Sequence, residues 1–157
     1  MMTAKTNPKD IEWKSGKNPI SIEGVQVFAL YFSQSKKLVP SKPAENIEIS
    51  LEPFNFRLIT VYPVTVLAGK SVHFAPIGLV NMLNAVGAIQ SLAYGDFESS
   101  VQIGVKGTGE MRVFASDKPR ACKIDGKDVG FEYEDHMIIV QVPWSSPSGF
   151  STVEYLF

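Results

Sequence analysis

The 157-residue sequence predicts an all-β fold, an antiparallel β-sandwich with Greek-key-like connections, and three observations predict it. Short runs rich in β-branched and aromatic residues recur at near-regular spacing, about ten of them, bounded by Gly, Pro, Asn, Asp or Ser. No stretch carries the three-to-four-residue apolar period of a helix longer than one turn. The alternation of strand and helix that a parallel sheet requires is missing as well.

Residues 1–21 are polar and hold Pro8, Gly16 and Pro19, so they read as a linker with one apolar patch, Ile11 to Trp13. Residues 22–157 make the domain proper. Val25 to Phe32 is a strand by composition, and Ser33 to Asn46, with two prolines and three lysines, reads as a loop. Ile47, Ile49 and Leu51 alternate with Glu48, Ser50 and Glu52, the period of a half-buried strand. Phe54 to Val66 holds two strands broken at Pro63, and Val72 and Phe74 face one way with His73 facing the other. Leu79, Met82 and Leu83 have helical spacing, but Gly87 follows closely and limits them to one turn. Further strands are expected at Ala88–Tyr94, Val101–Val105, Met111–Ala115, Ala121–Ile124, Val129–Tyr133, Met137–Val142 and Thr152–Phe157. Asp125-Gly126 suits a type I′ hairpin, in which both central residues need positive φ, and Glu134-Asp135-His136 makes a second turn.

Composition bounds the function classes. Hydrophobic residues make up 45% and charged residues 20% of the chain, ordinary globular usage. Fifteen basic and sixteen acidic side chains leave a net charge of −1, which gives no field for nucleic acid or an anionic membrane. No apolar run reaches the roughly 20 residues that span a bilayer, and residues 1–10 lack the apolar core of a secretory signal. Cys122 is the only cysteine, so an internal disulfide and a four-cysteine zinc site are both excluded. A cytoplasmic domain is expected.

A chemical site requires converging polar groups. Glu132 and Glu134 sit two apart on one strand, roughly 6.5–7 Å at the backbone, and so face the same way. A glycosidase pair must flank the scissile bond from two sides, so the expectation is a solvated outer face with Phe131 and Tyr133 turned toward the core. His73 and His136, the only histidines, have no paired spacing. Ser71 and Ser91 lack the Gly-x-Ser-x-Gly elbow. Gly104, Gly107 and Gly109 precede a strand-like run, whereas a phosphate loop needs a helix N-terminus behind it, so a glycine-rich hairpin turn is expected. Trp13 and Trp144 could stack on a sugar ring, with burial of Trp144 the expectation.

The order of several motifs resembles one family closely. Pro8 to Trp13, Phe74-Ala75-Pro76-Ile77-Gly78-Leu79-Val80-Asn81-Met82-Leu83-Asn84, Gly107 to Ser116, Cys122 to Gly126, Phe131 to Asp135, Val140 to Trp144 and Glu154 to Phe157 resemble the C-terminal region of plant raffinose synthases, with the related stachyose synthases and alkaline α-galactosidases. The resemblance implies a parent enzyme of the α-galactosidase-like glycoside hydrolase class. Such an enzyme transfers galactose from galactinol to sucrose, with retention, using aspartates on a (β/α)8 barrel that precedes the region in hand. A barrel needs roughly 200 residues or more, and Asp125 in its hairpin turn does not match the family's catalytic aspartate motif. No catalytic residue is therefore assigned, nor any cofactor or metal ligand, and substrate-binding residues stay unassigned.

The resemblance implies an accessory sandwich docked beside that barrel, inactive by itself, with galactinol and sucrose as substrates of the parent. Met1-Met2 ahead of the matching region is read as a truncated gene product, a partial gene or an excised piece. Freed from the barrel, the domain is expected to self-associate through the exposed patch. A free-standing carbohydrate-binding sandwich and a small independent hydrolase are the alternatives.

Overall fold

Alternation and β-branched composition lead to strands throughout. The computed structural model describes residues 1–14, 19–67, 70–95, 99–144 and 149–157, and among them are fifteen strands and two single-turn 3-10 segments. Gly16 of the expected linker lies outside the described residues. The chain divides into two compact units, Met1–Val64 and Thr65–Phe157.

The first unit holds two small sheets. β1 (Met2–Thr6) pairs antiparallel with β4 (Ile47–Leu51), and β2 (Phe28–Phe32) lies between β3 (Lys37–Ser41) and β5 (Ile59–Pro63). β4 has the burial its sequence predicts, with Ile47, Ile49 and Leu51 half-buried and Glu48 and Ser50 exposed. Residues 2–6, within the stretch expected to be linker, are its strand partner. They carry no apolar alternation because β1 is exposed along nearly its whole length. Asn7 then caps the turn Pro8–Asp10: its Oδ1 accepts from Lys9 N at 2.9 Å and Asp10 Oδ2 accepts from Asn7 N at 2.9 Å. Trp13 Nε1 donates to Pro8 O at 2.8 Å, and its ring packs on Phe28 at 5.6 Å.

The loop expected over Ser33–Asn46 is corrected by β3. Its Pro40 pairs with Ala29 without harm because β3 is an edge strand, where a missing N–H breaks no ladder. The break expected at Pro63 falls one residue later. Pro63 ends β5, another edge strand, and Val64 separates it from β6 (Thr65–Val66).

The second unit is a two-sheet antiparallel sandwich. One sheet has the order β13 (Glu132–Glu134), β14 (Met137–Val142), β10 (Gly109–Ala115), β7 (His73–Leu79), β6; the other has β12 (Lys127–Val129), β11 (Ala121–Ile124), β15 (Phe150–Leu156), β9 (Ser100–Lys106), β8 (Ile89–Tyr94). We call them the β10 sheet and the β15 sheet after their central strands. Alternate residues meet in the core: Phe74, Met111, Val113, Ile138 and Val140 from the first, Val101, Ile103, Val105, Val153 and Tyr155 from the second. The rings of Phe74 and Tyr155 lie 5.7 Å apart across that interface, and Phe157 meets Phe74 edge-on at 6.1 Å.

The turn chemistry follows the sequence. Asp125 and Gly126 have φ of 50° and 80°, as a type I′ hairpin between β11 and β12 demands, and Asp135 and His136 (50° and 59°) do the same between β13 and β14. The strand expected over Val129–Tyr133 is split, because β12 and β13 belong to different sheets and the chain crosses at Gly130-Phe131. The Gly107 region likewise is not a hairpin. β9 and β10 lie in different sheets, and Gly107 (φ 120°) and Gly109 (φ 128°) turn the chain from one to the other. Asn81 braces this crossing: its Nδ2 donates to Thr108 O at 3.2 Å, and its Oδ1 accepts from Glu110 N at 3.2 Å. The Asn81 side chain also fills the space a Cβ on Gly109 would need. The turn allowed at Leu79–Leu83 is non-helical, and the 3-10 turn comes later, at Val86–Ala88.

Candidate functional site

Glu132 and Glu134 are exposed on β13, an edge strand of the β10 sheet, with half-buried Tyr133 between them. Phe131 and Tyr133 pack against the core, so the two carboxylates share the outer face and cannot close on a bond from two sides. Tyr133 Oη donates to Ala115 O at 2.9 Å and lies 3.3 Å from His136 Nδ1. With its proton spent on the carbonyl, the phenol is the acceptor toward His136. Burial, and then the negative charge of Asp117, push the Tyr133 phenol above its usual range.

His73 and His136, without paired spacing in the sequence, are brought to the same end of β10. Ala115 N donates to His136 O and Ser116 N to His73 O, each at 2.9 Å, so the two backbones bracket that strand end. Both histidines are exposed. Ser71 is exposed in a left-handed conformation (φ 53°), and Ser91 lies on β8 in the opposite sheet, so the structure does not assemble a triad from these groups. Among the described residues no group of three His, Cys, Asp or Glu side chains is placed to hold a metal ion, and no helix is long and apolar enough to cross a membrane.

Cys122 is buried in the sandwich core, and desolvation raises its thiol from 9.0 to about 12. It is a packing residue, inert as a nucleophile. Beside it in register is Tyr155, whose hydroxyl is buried and has no hydrogen-bond partner among the described residues.

A cavity of about 760 Å³ lies in the Met1–Val64 unit. Trp13, Ile11, Pro19, Ile20 and Ile22 supply apolar walls; Lys9, Lys14, Glu12 and Glu23 supply offsetting charges. Ile20 N donates to Trp13 O at 2.9 Å and joins two of the segments that line it. Such a cavity can accept an apolar or amphipathic group, but it contains no nucleophile paired with a base. A smaller hollow of about 340 Å³ is lined by Phe32, Gln34, Ser35, Lys37 and Arg57.

Trp144, Phe54 and Phe56 are the most exposed aromatics among the described residues. Trp144, expected to be buried, is 71% exposed. It follows Pro143 beyond the last pair of β14, Val142 with Gly109, so no neighbouring strand covers it. Phe54 is fully exposed and Phe56 is 66% exposed, in the loop after β4. The sequence offered one unused signal for that loop: Pro53 opens a turn that places Phe54 where glycine is usual.

Comparison with known proteins adds an independent line. The profile of the family described as "Raffinose synthase or seed imbibition protein Sip1" matches residues 1–143. The chain is 60% identical to "Probable galactinol–sucrose galactosyltransferase 5" of Arabidopsis thaliana over 156 residues, 99% of this chain and 20% of that protein. It is 54% identical to a galactinol–sucrose galactosyltransferase of Pisum sativum over the same shares, and 31% identical to a stachyose synthase of Pisum sativum over 94% of this chain and 17% of that protein. The chain thus spans about one-fifth of the length of the two galactosyltransferases just named.

Proposed function

The chain belongs to the family of raffinose synthases and seed imbibition proteins, and on that premise we propose that it is the C-terminal accessory β-domain of a galactosyltransferase that moves galactose from galactinol to sucrose. One observation carries the reading: nearly the whole chain aligns at 60% identity with a protein five times as long, while the described residues form strands with no opposed carboxyl pair. Retaining transfer requires two carboxyl groups about 5–5.5 Å apart on either side of the bond. In this reading the catalytic aspartates stand on a (β/α)8 barrel outside the aligned fifth, residues 1–21 lead in from it, and the enzyme works in the cytoplasm. The domain's contribution is to complete the barrel's fold and shield apolar surface.

The test is a substitution of whole segments. The Arabidopsis relative is made with its matching fifth replaced by this chain, and raffinose formation from galactinol and sucrose is measured beside the 157-residue chain alone. Transfer by the chimera and none by the chain alone is the expected result. Turnover of galactinol by the chain alone would overturn the proposal.

Exposure of Trp144 favours a second reading, a sandwich that binds carbohydrate by stacking a sugar ring on the indole. Titrating raffinose into the chain while following tryptophan fluorescence decides it. A saturable shift that disappears in Trp144→Ala supports binding, and a flat response removes the reading.

A further inference from the structure

The loop after β4 contains a conflict between local rules and sequence. Glu52, Pro53, Phe54 and Asn55 form a turn closed by Asn55 N donating to Glu52 O at 3.1 Å. Phe54 occupies its third position with φ of 64°, the left-handed region that favours glycine. A bulky residue there strains the backbone, and strain persists where something else compensates it. Among the described residues no packing contact does, because the Phe54 ring is fully exposed. Two residues on, Phe56 is exposed as well, and its backbone is held firmly. Gln34 Nε2 donates to Phe56 O at 3.1 Å, and Gln34 Oε1 accepts from Leu58 N at 3.3 Å. The loop is thus braced from β2's end, with two aromatic rings held out in a preorganised arrangement.

Rigid aromatics on a preorganised loop are the residue type and setting that dominate protein interfaces. A sugar site would need convergent polar groups beside the rings, and the Gln34 amide that reaches this loop is already spent on the loop's own backbone. We propose that Phe54 and Phe56 anchor this chain to the catalytic portion of the full-length enzyme, their rings entering an apolar pocket there. The occupant follows from length: the relatives carry about four-fifths of their polypeptide outside the matched segment. The inference rests on the accessory-domain reading and names the contact by which that domain would dock.

The test exploits an effect of opposite sign in two settings. In the 157-residue chain, Phe54→Gly relieves a strained position and buries nothing less, so its unfolding temperature stays level or rises. In the chimera described above, Phe54→Gly loses an anchor, so the enzyme unfolds several degrees lower and is cut faster between the two portions by a protease. Phe54→Trp, which keeps an aromatic at the strained position, restores most of that loss. The proposal is overturned if Phe54→Gly leaves the chimera's unfolding temperature and protease resistance unchanged or improved while the unsubstituted chimera is active. An inactive chimera beside an active parent defeats the accessory-domain reading and the docking contact together. Saturable raffinose binding by the free chain that Phe54→Gly abolishes would also overturn it.

Discussion

The two sheets of the Thr65–Phe157 unit share one core and differ on their outer faces. In the β10 sheet, Ala75, Ile77, Met137 and Ile139 lie outside the core set and are nonetheless buried. Its strand β14 accordingly opens on an unbroken apolar run, Met137-Ile138-Ile139-Val140, while edge strand β13 keeps its exposed Glu132 and Glu134. In the β15 sheet, Gln102 and Lys106 are exposed and alternate with Val101, Ile103 and Val105. Gln102 Nε2 donates to Glu154 Oε2 at 2.6 Å across the outer face. A sheet covered on both sides loses the period of two, whereas one with a wet face keeps it. The contrast shows where the molecule tolerates change.

A buried carboxylate at Ile77 separates the sheets most sharply. Ile77→Asp places a charge without a partner in a closed space, and the expected cost exceeds roughly 4 kcal/mol, enough to abolish cooperative unfolding in urea. Lys106→Ala on the other sheet's outer face should move the urea midpoint by no more than about 0.5 kcal/mol equivalent. Equal effects from the two would dissolve the contrast.

The covered face also holds a charge. Arg112 is buried there, with its Nε 2.7 Å from Glu110 Oε2 and its guanidinium reaching Met137 Sδ at 3.9 Å. Arg112 is buried and its partner Glu110 only partly so, and Arg112→Ala should cost about 1–3 kcal/mol, read from the same urea curves. The Glu110→Gln, Arg112→Met double variant should recover most of it. A single-variant loss below about 1 kcal/mol would mean that water reaches this face.

These differences explain what could be read from the sequence alone. Wherever one face is wet, alternation located the strands closely, as at Ile47–Leu51. Turn chemistry placed the type I′ hairpin at Asp125-Gly126 and a second turn at Glu134-Asp135-His136, because both are local signals. β1 and β3 were missed because exposed polar strands carry no burial pattern, and their existence depends on partners distant in sequence. The glycine crossing was taken for a hairpin because positive φ identifies a bend without naming the sheet that receives the chain. Of the candidate site, the solvated placement of Glu132 and Glu134 was legible from parity. The convergence of His73 and His136 on β10 was not, since it is a product of strand order. The exposure of Trp144 depends on where β14 stops pairing, which composition does not encode.

The smallest effect of a single substitution at neutral pH belongs to the shared core, where Tyr155 and Cys122 sit side by side. The Tyr155 hydroxyl lacks a partner among the described residues and burial raises its pKa well above 10.0, with Cys122 adding to the shift. Tyr155→Phe removes an unsatisfied polar atom while keeping the ring against Phe74, so it should leave stability unchanged or raise it by about 1 kcal/mol. The pH dependence follows in sign. Folding lifts the Cys122 thiol from 9.0 to about 12, so the folded state holds its proton where the unfolded chain releases one. That contribution is complete below pH 9 and is lost as pH climbs toward 12, and Tyr155 acts in the same direction. Urea midpoints should therefore fall steeply between pH 9 and 12 in the natural chain and less steeply in Cys122→Val. At neutral pH a thiol reagent should modify Cys122 only as fast as the sandwich opens. Modification at the rate of a free thiol in native buffer would show that the core around Cys122 and Tyr155 is not closed.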